Sequence, residues 1–231
     1  MILYYITDRQ QFPGDDAPRQ SALLENVERA ARAGVDFIQL REKDLPTRAL
    51  ARLAQRALER LQAARRQHGS QTRLLINSRN DVAIACGADG VHLRSSSSGE
   101  ISAGDARAIF DGAGIAHPVI AVSCHTEQEV LLAEADGADF TVFGPVFEKT
   151  GVAAAGLRDL ERIAQRRPAL MPTMALGGVT LENARECIEA GAAGVAGIRL
   201  FQQGDVARAV AKLRELQINS PRSRGGAEKK F

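Results

Sequence analysis

Ala33-Gly34-Val35-Asp36-Phe37-Ile38-Gln39-Leu40 sets the pattern of this chain, because the same phrase returns three more times. The later copies are Cys86-Gly87-Ala88-Asp89-Gly90-Val91-His92-Leu93, Asp136-Gly137-Ala138-Asp139-Phe140-Thr141-Val142-Phe143 and Ala190-Gly191-Ala192-Ala193-Gly194-Val195-Ala196-Gly197-Ile198. The glycine suits the left-handed position just past a helix. The apolar run does not alternate, so it reads as a strand buried on both faces. The glycines (34, 87, 137 and 191) fall 53, 50 and 54 residues apart. A βα unit takes roughly 25–30 residues, since about 250 residues make eight of them. Each interval therefore holds two units. The four phrases mark every second strand of a single (β/α)8 TIM barrel, an α/β fold.

The composition agrees with one large domain. The 231 residues are 45% hydrophobic and 25% charged, an ordinary globular balance. A net charge of +2 gives no ground for a nucleic-acid or membrane partner. Cys86, Cys124 and Cys187 show no metal-ligand spacing and fit a reducing compartment. No signal peptide or bilayer-spanning run is apparent, so a cytoplasmic location is expected. The barrel is expected over residues 1–217. Residues 218–231 have lost hydrophobic periodicity and read as a flexible basic tail. A doubly wound open sheet is the structural rival, but no Gly-x-Gly-x-x-Gly turn follows the first strand.

The predicted strands are Ile2 to Ile6, Phe37 to Leu40, Arg73 to Ile76, Gly90 to Leu93, Val119 to Val122, Phe140 to Phe143, Thr173 to Leu176 and Gly194 to Ile198. The segment Gln10 to Ser21 reads as a loop. In a barrel the loops after the strands form the face that carries the chemistry. That face receives Arg41, Lys43, Asn77, Arg79, Ser123, His125, Lys149, Thr150, Gly177, Gly178 and Arg199. Its nearby acids are Glu42, Asp44, Asp81 and Glu148. So many cations and donors imply an anionic ligand.

Paired glycines 177 and 178 let a phosphate approach the backbone, and strand eight ends in Arg199 nearby. The alternative is a tight turn with no ligand. Arg41 and Lys43, two residues apart, suit a clamp on phosphate or diphosphate, or else a solvated loop. Asn77 is a donor or a loop cap. His125 stands at the mouth with a titration range suited to proton transfer, or it is only a helix-start residue. His92, inside strand four, reads as structural, and His68 and His117 lie away from the mouth. No motif for metal hydrolysis or acyl transfer is present.

Tyr5-Ile6-Thr7-Asp8, Gln39-Leu40-Arg41-Glu42-Lys43-Asp44, Ile76-Asn77, Gly87 to Leu93, Ser123-Cys124-His125-Thr126, Gly144-Pro145-Val146-Phe147 and Leu176-Gly177-Gly178-Val179 occur in this order. Together they resemble the thiamine phosphate synthase/TenI family over residues 2 to 215. The resemblance implies a (β/α)8 barrel and one of two activities. The synthase joins a hydroxymethylpyrimidine diphosphate to a thiazole phosphate with Mg²⁺ and releases diphosphate. TenI is a tautomerase that moves a proton on a thiazole phosphate carboxylate. By resemblance Arg41, Lys43 and Asn77 match diphosphate-binding positions, and Gln39 joins that substrate-binding set. Gly177 and Gly178 match the thiazole-phosphate turn, and His125 matches the TenI acid/base.

Two departures set the expectation. The synthase pattern has Mg²⁺-binding aspartates where this chain has Ser78 and, within Ser95 to Ser98, Ser97. A hydroxyl is a poor replacement for a carboxylate on Mg²⁺. Arg94 stands where the family has glycine, a partial counter-charge that cannot bridge diphosphate oxygens as a metal does. The expected activity is therefore a TenI-type proton shift, with no cofactor and His125 as acid/base. Ser123, Lys149 or Thr150 then holds the substrate carboxylate. The alternatives are the synthase, which would need Mg²⁺, and a non-catalytic thiazole- or thiamine-phosphate binder. The expected partner is a small phosphorylated thiazole, with a homo-oligomer open.

Overall fold

The computed structural model describes residues 1–95, 99, 101–148, 156–165 and 171–218. Eight parallel strands close in sequence order, with β8 pairing back to β1. They are β1 (Ile2–Ile6), β2 (Phe37–Leu40), β3 (Arg73–Asn77), β4 (Gly90–Leu93), β5 (Val119–Cys124), β6 (Phe140–Phe143), β7 (Thr173–Ala175) and β8 (Gly194–Gly197). The helices are α1 (Asp16–Ala33), α2 (Thr47–His68), α3 (Asn80–Cys86), α4 (Ala103–Gly112), α5 (Glu127–Ala135), α6 (Gly156–Gln165), α7 (Ala184–Glu189), α8 (Arg199–Gln202) and α9 (Val206–Ile218). The expected barrel is what the chain forms.

Strand side chains alternate between two apolar cores. Tyr4, Ile6, Leu75, Ala121, Val142, Met174 and Ala196 fill the barrel. Leu3, Tyr5, Leu74, Ile76, Val122 and Val195 face the helices. Both faces are therefore apolar, which explains why the runs do not alternate in sequence. The four repeat glycines have φ of 92°, 74°, 78° and 100° in chain order, as a helix exit requires.

The aspartate of the repeated phrase has a role that the sequence did not disclose. Asp36 Oδ2 accepts the Leu3 amide at 2.7 Å, Asp89 Oδ2 that of Leu74 at 2.8 Å, and Asp139 Oδ2 that of Ile120 at 2.6 Å. Each carboxylate thus ties the base of its own strand to the strand before it. The fourth copy has Ala193 in this place. Its backbone amide still reaches the Thr173 carbonyl, but it offers that strand no carboxylate.

Five boundaries differ from expectation. The segment read as a loop contains the start of α1 at Asp16, because Pro18 is tolerated in a first turn. β3 extends through Asn77 and β5 through Cys124, since Asn77 pairs in register with His92 and Cys124 with Phe143. Asn77 and Ser123 therefore sit on strands rather than in loops. β7 and β8 each stop one residue short of expectation, at Ala175 and Gly197.

Candidate active site

The β2–α2 connection turns just past β2, where the Leu45 amide donates to the Glu42 carbonyl at 3.2 Å. Arg41 and Lys43 stay accessible, while Glu42 between them is 4% exposed. Glu42 accepts the Thr7 hydroxyl at 2.6 Å and the Arg9 amide at 3.0 Å. The Arg9 guanidinium donates to Glu42 at 3.2 Å, to Asp44 at 2.6 and 2.7 Å, and to Asp16 at 2.7 Å. Burial pushes the Glu42 carboxyl up, against the hydrogen bonds from Thr7 and Arg9. The Arg9 hydrogen bonds hold Asp44 down, to about 2. Thr7 Oγ1 also accepts the Arg41 amide at 3.0 Å. Glu42 and Asp44, expected among the acids of the mouth, are held by these bonds as braces of the loop that presents Arg41 and Lys43. Arg9 and Thr7 escaped sequence reading because their partners lie some 35 residues away.

Gln39 Nε2 donates to Asn77 Oδ1 at 2.8 Å. That fixes the Asn77 amide and leaves its N–H groups as donors to a cavity of about 270 Å³. Lys43, Ser78, Arg79 and Arg94 line the same cavity. Arg79 is engaged with Asp81, at 2.9 and 2.5 Å, and with Thr47 at 2.9 Å. Ser78 has φ 55° and donates its amide to the His92 carbonyl at 2.9 Å.

This donor set does not fit Mg²⁺. Among the described residues no group of three His, Cys, Asp or Glu side chains is placed to hold a metal. Among the described residues, the cavity around Ser78 offers three cationic side chains and one carboxylate, Glu42, which is bound by Thr7 and Arg9. Ser97, at the second position where the resemblance implies a metal ligand, lies outside the described residues.

Ser123 meets an unexpected neighbour. His92, read as structural, is buried, yet its Nε2 lies 2.8 Å from Ser123 Oγ and its Nδ1 lies 2.8 Å from the Tyr4 hydroxyl. His125, on the same strand end, is exposed, with Nδ1 2.5 Å from the Gly144 carbonyl oxygen. A carbonyl only accepts, so Nδ1 carries a proton, and in the neutral ring Nε2 then holds the lone pair for base chemistry. Burial raises the neighbouring Cys124 thiol to about 12, so it stays protonated and is no nucleophile.

Across the mouth a larger cavity, of about 810 Å³, brings together Gly177, Gly178 and Arg199, as expected. Arg208 and Lys212 of α9 join them, which strand-end reasoning did not anticipate. Gly177 has φ 94° and Gly178 φ 68°. A Cβ on Gly177 would lie 2.5 Å from Pro145 Cα, and one on Gly178 would lie 2.7 Å from Phe147 Cβ. Among the described residues, the amides of Gly177, Gly178 and Val179 meet no acceptor. Three such N–H groups beside cations form a ready anion site. Lys149 and Thr150, expected to hold substrate, lie outside the described residues.

Comparison with known proteins shows what the chain as a whole is similar to. A family model described as thiamine monophosphate synthase matches residues 3–201. A Geobacter sulfurreducens protein, provisionally named a thiamine-phosphate synthase, is 44% identical over 196 residues, 84% of this chain and 83% of that protein. The thiamine-phosphate synthase of Chlorobium luteolum is 37% identical over 228 residues, covering 97% and 96%. The solved structure of thiamine phosphate pyrophosphorylase from Pyrococcus furiosus superposes with a TM-score of 0.73 at 30% identity, covering 93% and 94%.

Proposed function

Because the chain belongs to the thiamine monophosphate synthase family, we propose that it is a transferase of thiamine biosynthesis, joining a hydroxymethylpyrimidine diphosphate to a thiazole phosphate. The observation that carries this reading is the pair of anion sites on one mouth. The diglycine corner with Arg199 suits the phosphate of one substrate. The smaller cavity with Lys43, Asn77 and Arg94, flanked by Arg41, suits the diphosphate of the other. An isomerase has one phosphorylated substrate and needs only the first. The names of the relatives support the same choice, which reverses the order expected from the sequence.

In the coupling, the thiazole ring nitrogen forms a bond to the pyrimidine methylene as the carbon–oxygen bond to diphosphate breaks. The electrons of that bond leave with the diphosphate, and no proton transfer is needed for balance. Arg41, Lys43, Arg94 and the Asn77 amide stabilise the departing charge. Since the donor set around Ser78 does not suit a divalent ion, these cations are proposed to do so without Mg²⁺.

A proton-shift reading is the second, favoured by the His125 geometry and by Ser78 in place of a carboxylate. Purified protein assayed for coupling and for isomerisation, each with and without chelator, decides between them. Coupling that survives the chelator is the expected result. Isomerisation alone establishes the second reading, and ligand binding with neither turnover establishes a binder. Coupling that is abolished by the chelator and restored by Mg²⁺ removes the metal-free proposal.

A further inference from the structure

Tyr4, His92 and Ser123 come from β1, β4 and β5 and form one hydrogen-bonded column. Tyr4 is 0% exposed and His92 2%, while Ser123 is half-buried at the mouth. The Tyr4 ring stacks on His92 with centroids 5.6 Å apart, and it meets Phe37 and Phe140 edge-on. This packing excludes water from the phenol.

Two proton arrangements satisfy the oxygen–nitrogen distances. In one, Tyr4 donates to Nδ1 and Nε2–H donates to Ser123. In the other, Nδ1–H donates to the phenol oxygen and Ser123 donates to Nε2. The second leaves the Tyr4 O–H without an acceptor, because His92 is its hydrogen-bond partner among the described residues. A doubly protonated ring orphans the same O–H. An unsatisfied buried donor lowers the population of either state by about tenfold or more. Burial also raises the Tyr4 pKa, so the phenol keeps the proton that it donates.

We propose that Tyr4 and His92 are positioning residues that fix Ser123 as a hydrogen-bond donor to a substrate oxyanion. The chain runs Tyr4 O–H to Nδ1, Nε2–H to Ser123 Oγ, and Ser123 O–H to the ligand. His92 then offers the serine proton no lone pair. Ser123 is therefore not activated as a nucleophile by His92, although a serine beside a histidine invites that reading. A hydroxyl that already accepts one bond donates more strongly, which suits a phosphate or diphosphate oxygen. The ligand end of this inference rests on the function proposed above.

Two measurements test it. Nitrogen-15 NMR of the histidine rings at pH 8, with His92→Gln to assign the signal, reads the tautomer without any ligand. The Nε2–H form is expected, and the Nδ1–H form overturns the proposal. Calorimetric titration with inorganic pyrophosphate then compares wild type, Tyr4→Phe, Ser123→Ala and the double variant. Tyr4→Phe is expected to weaken binding about three- to tenfold, and Ser123→Ala about tenfold. In the Ser123→Ala background, Tyr4→Phe is expected to add nothing. An equal loss in both backgrounds marks Tyr4 as merely structural and overturns the relay. Wild type that fails to bind pyrophosphate tells against the transferase reading, while the NMR result still judges the tautomer.

Discussion

A methyl group on Gly178 has nowhere to go. It would stand 2.7 Å from Phe147 Cβ, on a residue whose φ of 68° already disfavours side chains. Gly178→Ala is expected to cost about 1–3 kcal/mol in a thermal melt and to raise the KM for the phosphorylated thiazole about tenfold or more. Unchanged KM would show that the phosphate lies elsewhere. The diglycine was legible in the sequence because both residues belong to one turn. The Arg9 cluster was not, since Thr7, Glu42 and Asp44 meet only once β1 and β2 pair. Its carboxylates pull stability in opposite directions with pH. Asp44 has a depressed folded pKa, so its contribution is in place above its ordinary value of 3.8 and is lost as pH falls through about 2. Glu42 is raised above its ordinary 4.5, so its contribution is complete below that value and fades as pH climbs through the raised one. Urea midpoints from pH 5 to 2 should fall less steeply for Asp44→Asn than for wild type. Equal slopes would remove Asp44 as a source of the acid sensitivity.

Among the strands, the repeated aspartates act as struts. Asp36, Asp89 and Asp139 each hold an amide that the staggered register leaves without a ladder partner at the base. Their recurrence was visible in the sequence, and the spacing was enough to place the strands. Their purpose was hidden, because each one acts on the strand before its own. Ala193 interrupts the series, and its amide bonds Thr173 just as the amides of Asp36, Asp89 and Asp139 bond Leu3, Leu74 and Ile120. Ala193→Asp should therefore supply the missing bond to the Thr173 amide. A gain of about 0.5–1.5 kcal/mol in urea denaturation is expected. A loss would mean that the base of β7 is shaped differently from the other three.

For the molecule as a whole, the closed barrel was readable because helix exits and buried strands recur at a fixed period. The division of the mouth into two anion-binding cavities was only partly readable. Strand ends named Lys43, Asn77, Gly177, Gly178 and Arg199, but Arg208 and Lys212 arrive from the last helix, which has no strand end to announce it. The Tyr4–His92–Ser123 column joins three strands and has no local signature at all. The strutless phrase also decides where the cylinder opens first. β7 has three residues and no carboxylate at its foot, so native-state hydrogen exchange should be faster at Thr173 than at Leu3, Leu74 or Ile120. The loops that leave β7 and β8 carry Gly177 and Arg199, so an anion bridging them would staple the two strands at the top. The easiest breathing mode of the cylinder would then be silenced by its own ligand, and protection at Thr173 would rise on binding.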